Sequence, residues 1–278
     1  MAVPQGSRHI AVLSDVHGNL IALRAVLADV AALGIDSVVV AGDMVNFGPD
    51  PDDVVDLLAA QGAQMIRGNH EQVFVALYGT DEMPASWRTN LLTMCWTMER
   101  LGVQRRALLT ALPDRLMIDA TTLVVHGSPR HVRDSVLVST PTEELDAMFA
   151  GEAARLAFVG HTHRAAVRQT PSRTVINVGS VGFPMDGDPR AAYAVATRQG
   201  HERTETWSVS IRRVPFDVEQ AIAAYDNGCG EADLIFATIM ARMLRTGRDY
   251  LGPWVRVSAG LAHHELQGAL MDYLAANP

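Results

Sequence analysis

Three apolar runs in the first quarter of the chain each end in a glycine-containing polar turn and then give way to helix-period sequence. That recurrence restricts the fold more than any other feature. Residues His9 to Ser14 read as a buried strand, after which Leu20, Leu23, Val26, Leu27, Val30 and Leu33 recur at helical spacing. Gly34 stops that helix and Ser37 to Ala41 form a second buried strand. A helix through Val54, Val55, Leu57 and Leu58 and a short strand over Ala63 to Ile66 complete a third round. Strand, helix and strand at this spacing make a βαβ unit, whose strands lie parallel and whose crossover is right-handed.

Beyond this unit the pattern turns helical from His70 to Leu112, with a break expected near Thr80 to Pro84, and reads as an insertion covering the sheet. Arg115 to Asp119, Thr122 to His126 and Leu156 to Val159 are strand-like, with a helix over Thr142 to Phe149. Ala165 to Gln169, Thr174 to Val178, Ala191 to Thr197 and Thr204 to Ile211 then follow with short links, which predicts a second, more antiparallel sheet. The tail from Asp217 is helical by spacing, with a break at Gly228 and Gly230. Nothing forces a split, so residues 1–278 are expected to form one domain, with a core over 9–215 and a helical extension over 216–278.

Composition excludes several functions. With 278 residues, 48% of them hydrophobic, the chain buries a core without disulfides or a structural metal. Any metal is therefore expected to be functional. Cys95 and Cys229 have no neighbouring cysteine and read as reduced thiols. The amino-terminal residues carry no signal-type apolar core, and charged residues interrupt every long apolar run, so a cytoplasmic protein without membrane spans is expected. A net charge of -8 argues against an extended nucleic-acid surface and leaves a small phosphorylated partner open. The helical segments leave a lid or a homo-oligomer contact open.

The polar turns carry the chemistry. In Ser14-Asp15-Val16-His17-Gly18-Asn19, residues two apart on extended chain point to one side, so Asp15 and His17 can converge on an ion. Asn19 either orients that site or caps the helix it precedes. Ala41-Gly42-Asp43 and Arg67-Gly68-Asn69-His70-Glu71 end the next two strands at the same sheet edge, where α/β proteins bind ligands. Asp43 beside Asp15 would repel it unless a cation lay between them. Later, His126 follows an apolar strand in Val125-His126-Gly127-Ser128, and His161 and His163 follow another in Gly160-His161-Thr162-His163. Five of the ten histidines thus fall at strand ends beside glycines, which let ligands approach the backbone closely.

In this order, Asp15-x-His17-Gly-Asn19, Gly42-Asp43, Gly68-Asn69-His70-Glu71, His126-Gly and Gly160-His161-x-His163 resemble the calcineurin-like metallophosphoesterase superfamily. Gly48-Pro49, the His126 loop, Asn177 to Gly182 and Asp186 to Arg190 resemble its small bacterial and archaeal branch that includes the YfcE-like phosphodiesterases. The resemblance covers about residues 9–215 and implies an α/β fold, a four-layer αββα sandwich of two mixed sheets flanked by helices. It implies two divalent transition-metal ions, Mn first and Fe, Ni, Co or Zn as alternatives. Asp15, His17 and His163 would bind one, Asn69, His126 and His161 the other, and Asp43 would bridge them. It further implies in-line attack of a metal-bridging hydroxide on a phosphodiester or phosphomonoester, with His70 off the metals as general acid.

The substrate is less constrained. A small nucleotide-like diester is the first expectation, and a catalytically silent scaffold of the same fold is the alternative. Asn46-Phe47-Gly48-Pro49 departs from the Gly-Tyr-Gly-Pro turn frequent in the branch, and Asn177-Val178-Gly179 from Asn-Pro-Gly. Asn19, Asn46, Arg130 and His131 are the candidate substrate contacts. Arg67 either meets a phosphate or points to solvent, and Arg130 with His131 either contacts substrate or forms an exposed basic pair.

Overall fold

The computed structural model describes residues 8–35, 37–77, 92–199, 206–227 and 234–277. The expected breaks at 80–84 and at Gly228 and Gly230, and both cysteine side chains, lie outside the described residues.

The first sheet contains β1 (His9–Leu13), β2 (Ser37–Val40) and β3 (Gln64–Met65), parallel to one another in the order predicted. Helices α1 (Leu20–Ala32) and α2 (Pro51–Ala60) make the crossovers. Asn19 closes the start of α1, its Oδ1 accepting from the Ala22 N–H at 3.0 Å while its Nδ2 donates to the Gly182 carbonyl at 3.0 Å. Helix α2 opens on Pro51, with Asp52 and Asp53 in its first turn, residue types that suit a helix N-terminus. Helices α3 (Asn69–Leu77) and α4 (Leu92–Ala111) follow, the latter broken at Gly102. Met94, Met98, Leu101 and Leu109 of α4 join the core cluster of Val54, Val55 and Leu58, so the insertion thickens the helix layer.

The second sheet contains β4 (Arg115–Asp119), β5 (Thr122–Val125), β6 (Leu156–Val159), β7 (Ala166–Gln169) and β8 (Thr174–Asn177), in the order β4-β5-β6-β8-β7. β5, β6 and β8 are parallel, whereas β4 and β7 pair antiparallel at the edges. Helix α5 (Thr142–Met148) covers this sheet.

Here the structure corrects the expected pairing. β9 (Ala191–Gln199) and β10 (Thr206–Val214) do not extend the second sheet but join the first, giving the order β10-β9-β1-β2-β3. Residues 178–190 lead from β8 across to β9, which pairs antiparallel with β1 through Ile10↔Ala196 and Val12↔Ala194. Short links in sequence reported strands but not their partners.

Alternation along each strand builds the layers. Ile10 and Val12, Val39 and Ala41, Val124, Phe158, Ile176, Ala194 and Ala196 form one cluster between the sheets. Their neighbours face outward: Ala11, Leu13, Val38 and Val40 toward the helices of the first sheet, and Leu123, Val125, Ala157 and Val159 toward Leu145 and Phe149 beside the second. The result is two mixed five-stranded sheets flanked by helices.

After β10 come α6 (Val218–Ala223), α7 (Leu234–Thr246), α8 (Leu251–Val257) and α9 (Leu266–Ala276). They share a separate cluster built from Phe236, Ile239, Met240, Met243, Tyr250, Trp254, Leu270 and Tyr273, which also takes in Phe183. Among the described residues no helix is long and apolar enough to cross a membrane.

Candidate metal centre

All seven residues read as ligands arrive at one edge, at the ends of β1, β2, β3, β5 and β6. Asp15, His17, Asp43, His161 and His163, with Asn46 and Phe47, are the seven described non-glycine residues with left-handed φ, between 50° and 73°. Such backbone is uncommon outside glycine and costs free energy, and here it is concentrated at the strand ends, turning each side chain inward. Glycine is needed where loops touch: a Cβ on Gly68 would strike the Asp43 carboxylate, and one on Gly160 would strike Ser14 and Asp15.

Each carboxylate spends one oxygen on the fold and turns the other inward. Asp15 Oδ2 accepts from the His161 N–H at 3.0 Å and Asp43 Oδ1 from the His70 N–H at 2.9 Å. Asp15 Oδ1 lies 3.2 Å from His163 Nε2, and Asp43 Oδ2 lies 3.1 Å from His126 Nε2 and 3.8 Å from His17 Nε2. His17 Nε2 and His163 Nε2 approach to 3.1 Å. Asn69 Oδ1 sits 3.1 Å from His126 Nε2 and 2.8 Å from His161 Nδ1. Two donor groups, Asp15 with His17 and His163 and Asp43 with His126 and His161, are linked by a third, His17 with Asp43 and His70, the atoms of each lying within 4.8 Å of one another.

The donor set fits cations. His17, His163 and His126 each donate Nδ1–H to a carbonyl, of Val45 at 3.2 Å, Phe183 at 2.7 Å and Ala41 at 2.7 Å. Their Nε2 lone pairs are thereby aimed at one another and at the carboxylates, an arrangement that needs positive charge at its centre. Asp15 Oδ1 is buried with no hydrogen-bond donor. Burial alone would lower His126, yet the Asp43 carboxylate, aided by Asp15, pushes it up to about 10, and Asp15 raises His163 in the same way. Burial, with the neighbouring imidazoles, instead drives His17 down to about 3 and His161 down to about 4. Despite their burial, Asp15 is held below the usual carboxylate range by His163 and His126, and Asp43 well below it by His126, His70 and His17.

His70 stands beside the donors, its Nε2 3.9 Å from Asp43 Oδ2. Its Nδ1 meets Asn46 Nδ2 at 2.8 Å, so Asn46 reaches the site through His70. Asn19, by contrast, caps α1 and ties its loop to Gly182. Arg67 takes neither anticipated position: it pairs with Asp114 at 2.9 Å and donates to the Thr110 carbonyl at 3.2 Å. Arg130 is paired with Asp134 and Glu144, and His131 Nδ1 accepts from the Arg133 N–H at 3.1 Å. Both line a depression of about 270 Å³ that His126 also borders.

Glu71 had no assigned role in the sequence, yet it organises two of the loops. Fully buried, its carboxylate accepts from the N–H groups of Asp43 and Gly68 at 2.8 Å each, Met44 at 2.9 Å and Val45 at 3.3 Å. Burial and the Asp43 charge push it up to about 7 against the Gly68 and Asp43 N–H donors. The available signal was an acid in the first turn of a helix three residues after the glycine that precedes it.

Comparison with known proteins agrees with the geometry. Residues 9–200 match the model of the calcineurin-like phosphoesterase superfamily domain, and the chain belongs to that superfamily, whose members use divalent metals. An uncharacterised protein of Methanocaldococcus jannaschii, MJ0912, is 27% identical over 232 residues, 76% of this chain and 89% of the relative. A metallophosphoesterase from Sphaerobacter thermophilus superposes with a TM-score of 0.67 at 29% identity, covering 87% of this chain and all of that one. The hypothetical protein PH1004 from Pyrococcus horikoshii shares the fold with a TM-score of 0.72 at 22% identity, over 84% of this chain and 97% of its own.

Proposed function

We propose that this chain is a dinuclear metal-dependent hydrolase of phosphoric esters, built as one domain with its core over 9–215. The observation that carries the reading is the pair of donor groups linked through His17 and Asp43, with His70 Nε2 3.9 Å from the Asp43 carboxylate. Asp15, His17 and His163 would hold one cation and Asn69, His126 and His161 the other, with Asp43 common to both. Nitrogen and oxygen donors without thiolate suit Mn, Fe, Ni, Co or Zn better than Ca or Mg, and Mn is the first choice to test. Such ions, when bound, polarise phosphoryl oxygens and lower the pKa of water.

The chain's own residues do the rest. His70 is close enough to the donor cluster to pass a proton from Nε2 to a leaving oxygen, and Asn46 fixes its ring by holding Nδ1. Glu71 keeps the Asp43 and Asn69 loops at a fixed separation through its four N–H contacts. The three carbonyls behind His17, His126 and His163 set which nitrogen faces the substrate. With Arg67 and Arg130 engaged by carboxylates, neither stands ready for a phosphomonoester dianion, which favours a diester. A small nucleotide-like diester is the substrate to test first.

The test joins metal analysis of the purified chain to assays of a chromogenic phosphodiester and phosphomonoester with Mn. Two metals per chain and turnover of the diester are expected. Two bound metals with neither ester cleaved would refute the hydrolase. His70→Ala should keep both metals and lose about 10²- to 10⁴-fold in kcat on diesters with poor leaving groups. Unchanged turnover would remove His70 from the role of acid.

A further inference from the structure

Among the described residues, the helical extension packs behind one of the two donor groups, Asp15 with His17 and His163, and it does so from two sides. On one side, Phe236 of α7 packs on Phe47 with ring centres 6.0 Å apart. Phe47 in turn lies 4.8 Å from the rings of both His17 and His70. On the other side, Gly247, just past the end of α7, accepts the Gly187 N–H on its carbonyl at 2.8 Å. Gly247 has φ of +63°, and a Cβ there would lie 2.6 Å from the Asp188 backbone, so the contact is close-packed. The loop it grips carries Phe183, whose carbonyl receives Nδ1–H of His163 at 2.7 Å, and Met185, whose N–H returns to the His163 carbonyl at 2.9 Å. Phe183 is itself buried in the extension's cluster, and Phe47 and Met185 pack against it. Among the described residues, the three loop residues that join this cluster, Phe47, Phe183 and Met185, stand beside His17 or His163.

We infer that the extension is a positioning device for one metal: through Phe236 and Gly247 it fixes the rings of His17 and His163, and so sets the affinity of the Asp15, His17 and His163 group. The inference rests on the metal-binding reading above and adds an asymmetry that reading does not require. Supports behind a ligating histidine typically matter by about 10- to 100-fold in affinity, because they hold the ring where its lone pair meets the ion. Phe236 and Gly247 touch neither substrate nor metal. They act through Phe47 and through the 183–188 loop.

The experiment is a double-variant Mn titration on the full chain. His126→Ala leaves the first group to be read alone, and His163→Ala leaves the second. Adding Phe236→Ala should weaken Mn binding about 10- to 100-fold in the His126→Ala chain and leave the His163→Ala chain unchanged, with Phe236→Leu restoring most of the loss. Gly247→Ala should reproduce the pattern and serves if Phe236→Ala does not fold, with circular dichroism as the check. Equal losses in both backgrounds, or none in either, would overturn the inference. A wild-type chain that binds no Mn would instead refute the metal-binding reading itself.

Discussion

The two donor groups have the same strand-end architecture, one around Asp15 and one around Asp43, yet they differ in what stands behind them. Asp15, His17 and His163 are buried, and the ring pair is flanked by Phe47 and Phe183 and by helices from the end of the chain. Asn69, His126 and His161 rest on the loops of the sandwich itself, with His161 half-buried at the open edge. Burial raises the cost of any unmatched charge, and side chains packed from two sides have few alternative rotamers. Equal donor chemistry therefore does not mean equal hold on a metal. One group borrows its rigidity from an added segment, and the other takes it from Glu71 and the neighbouring backbone.

That contrast can be broken or sharpened by mutation. The largest effect belongs to Asp43→Asn, which removes the charge proposed as common to both groups. Mn titration should show both affinities falling together by more than the roughly 100-fold that a supporting residue commands. A loss confined to one group would mean that Asp43 is not shared. Next comes Glu71→Ala, which strips the acceptor from four buried N–H groups of the Asp43 and Gly68 loops. Thermal unfolding should register about 3 kcal/mol or more of lost stability. In surviving folded protein the Asn69, His126 and His161 group should weaken more than the first, mirroring Phe236→Ala. If the first group weakens more, the assignment of supports is inverted.

The smallest effect lies far from both groups. Asp29 on α1 accepts from Arg212 on β10 at 2.6 Å and from the Tyr193 hydroxyl on β9 at 2.6 Å. The Arg212 contact, with help from Tyr193, holds the Asp29 carboxyl below its ordinary 3.8 despite partial burial. A depressed carboxylate adds stability that is complete above the unfolded value and is lost as pH falls through the folded one. Melting temperature should therefore drop below about pH 4 more steeply in the wild type than in Asp29→Asn, with Mn affinity at neutral pH the same in both. Parallel acid limbs would show that Asp29 does not carry this dependence.

Much of this was readable in residue order. Runs such as His9 to Leu13 and Ser37 to Val40 declare strands because alternate positions on both faces are apolar, and parallel pairing follows from the crossovers between them. Polar turns after parallel neighbours lie at one edge, which gathers Asp15, Asp43 and Asn69 without coordinates, while joining His126, His161 and His163 of the second sheet to them rested on the family resemblance. Pairing over long distances could not be read that way. β9 looks alike whichever sheet it joins, since its small residues suit either, and only the packed structure selects β1 as its partner.

The site shows the same division. Sequence determined which side chains carry donor atoms and that parallel strand ends bring Asp15, Asp43 and Asn69 together, because local periodicity and backbone chirality are enough for that. Tertiary structure decided how they are held: Glu71 clasping two loops, Arg67 diverted to Asp114, Asn46 on His70, and Phe236 behind Phe47. Those contacts join residues from distant parts of the chain, and their partners are chosen by shape and burial, quantities that exist only once the layers have packed.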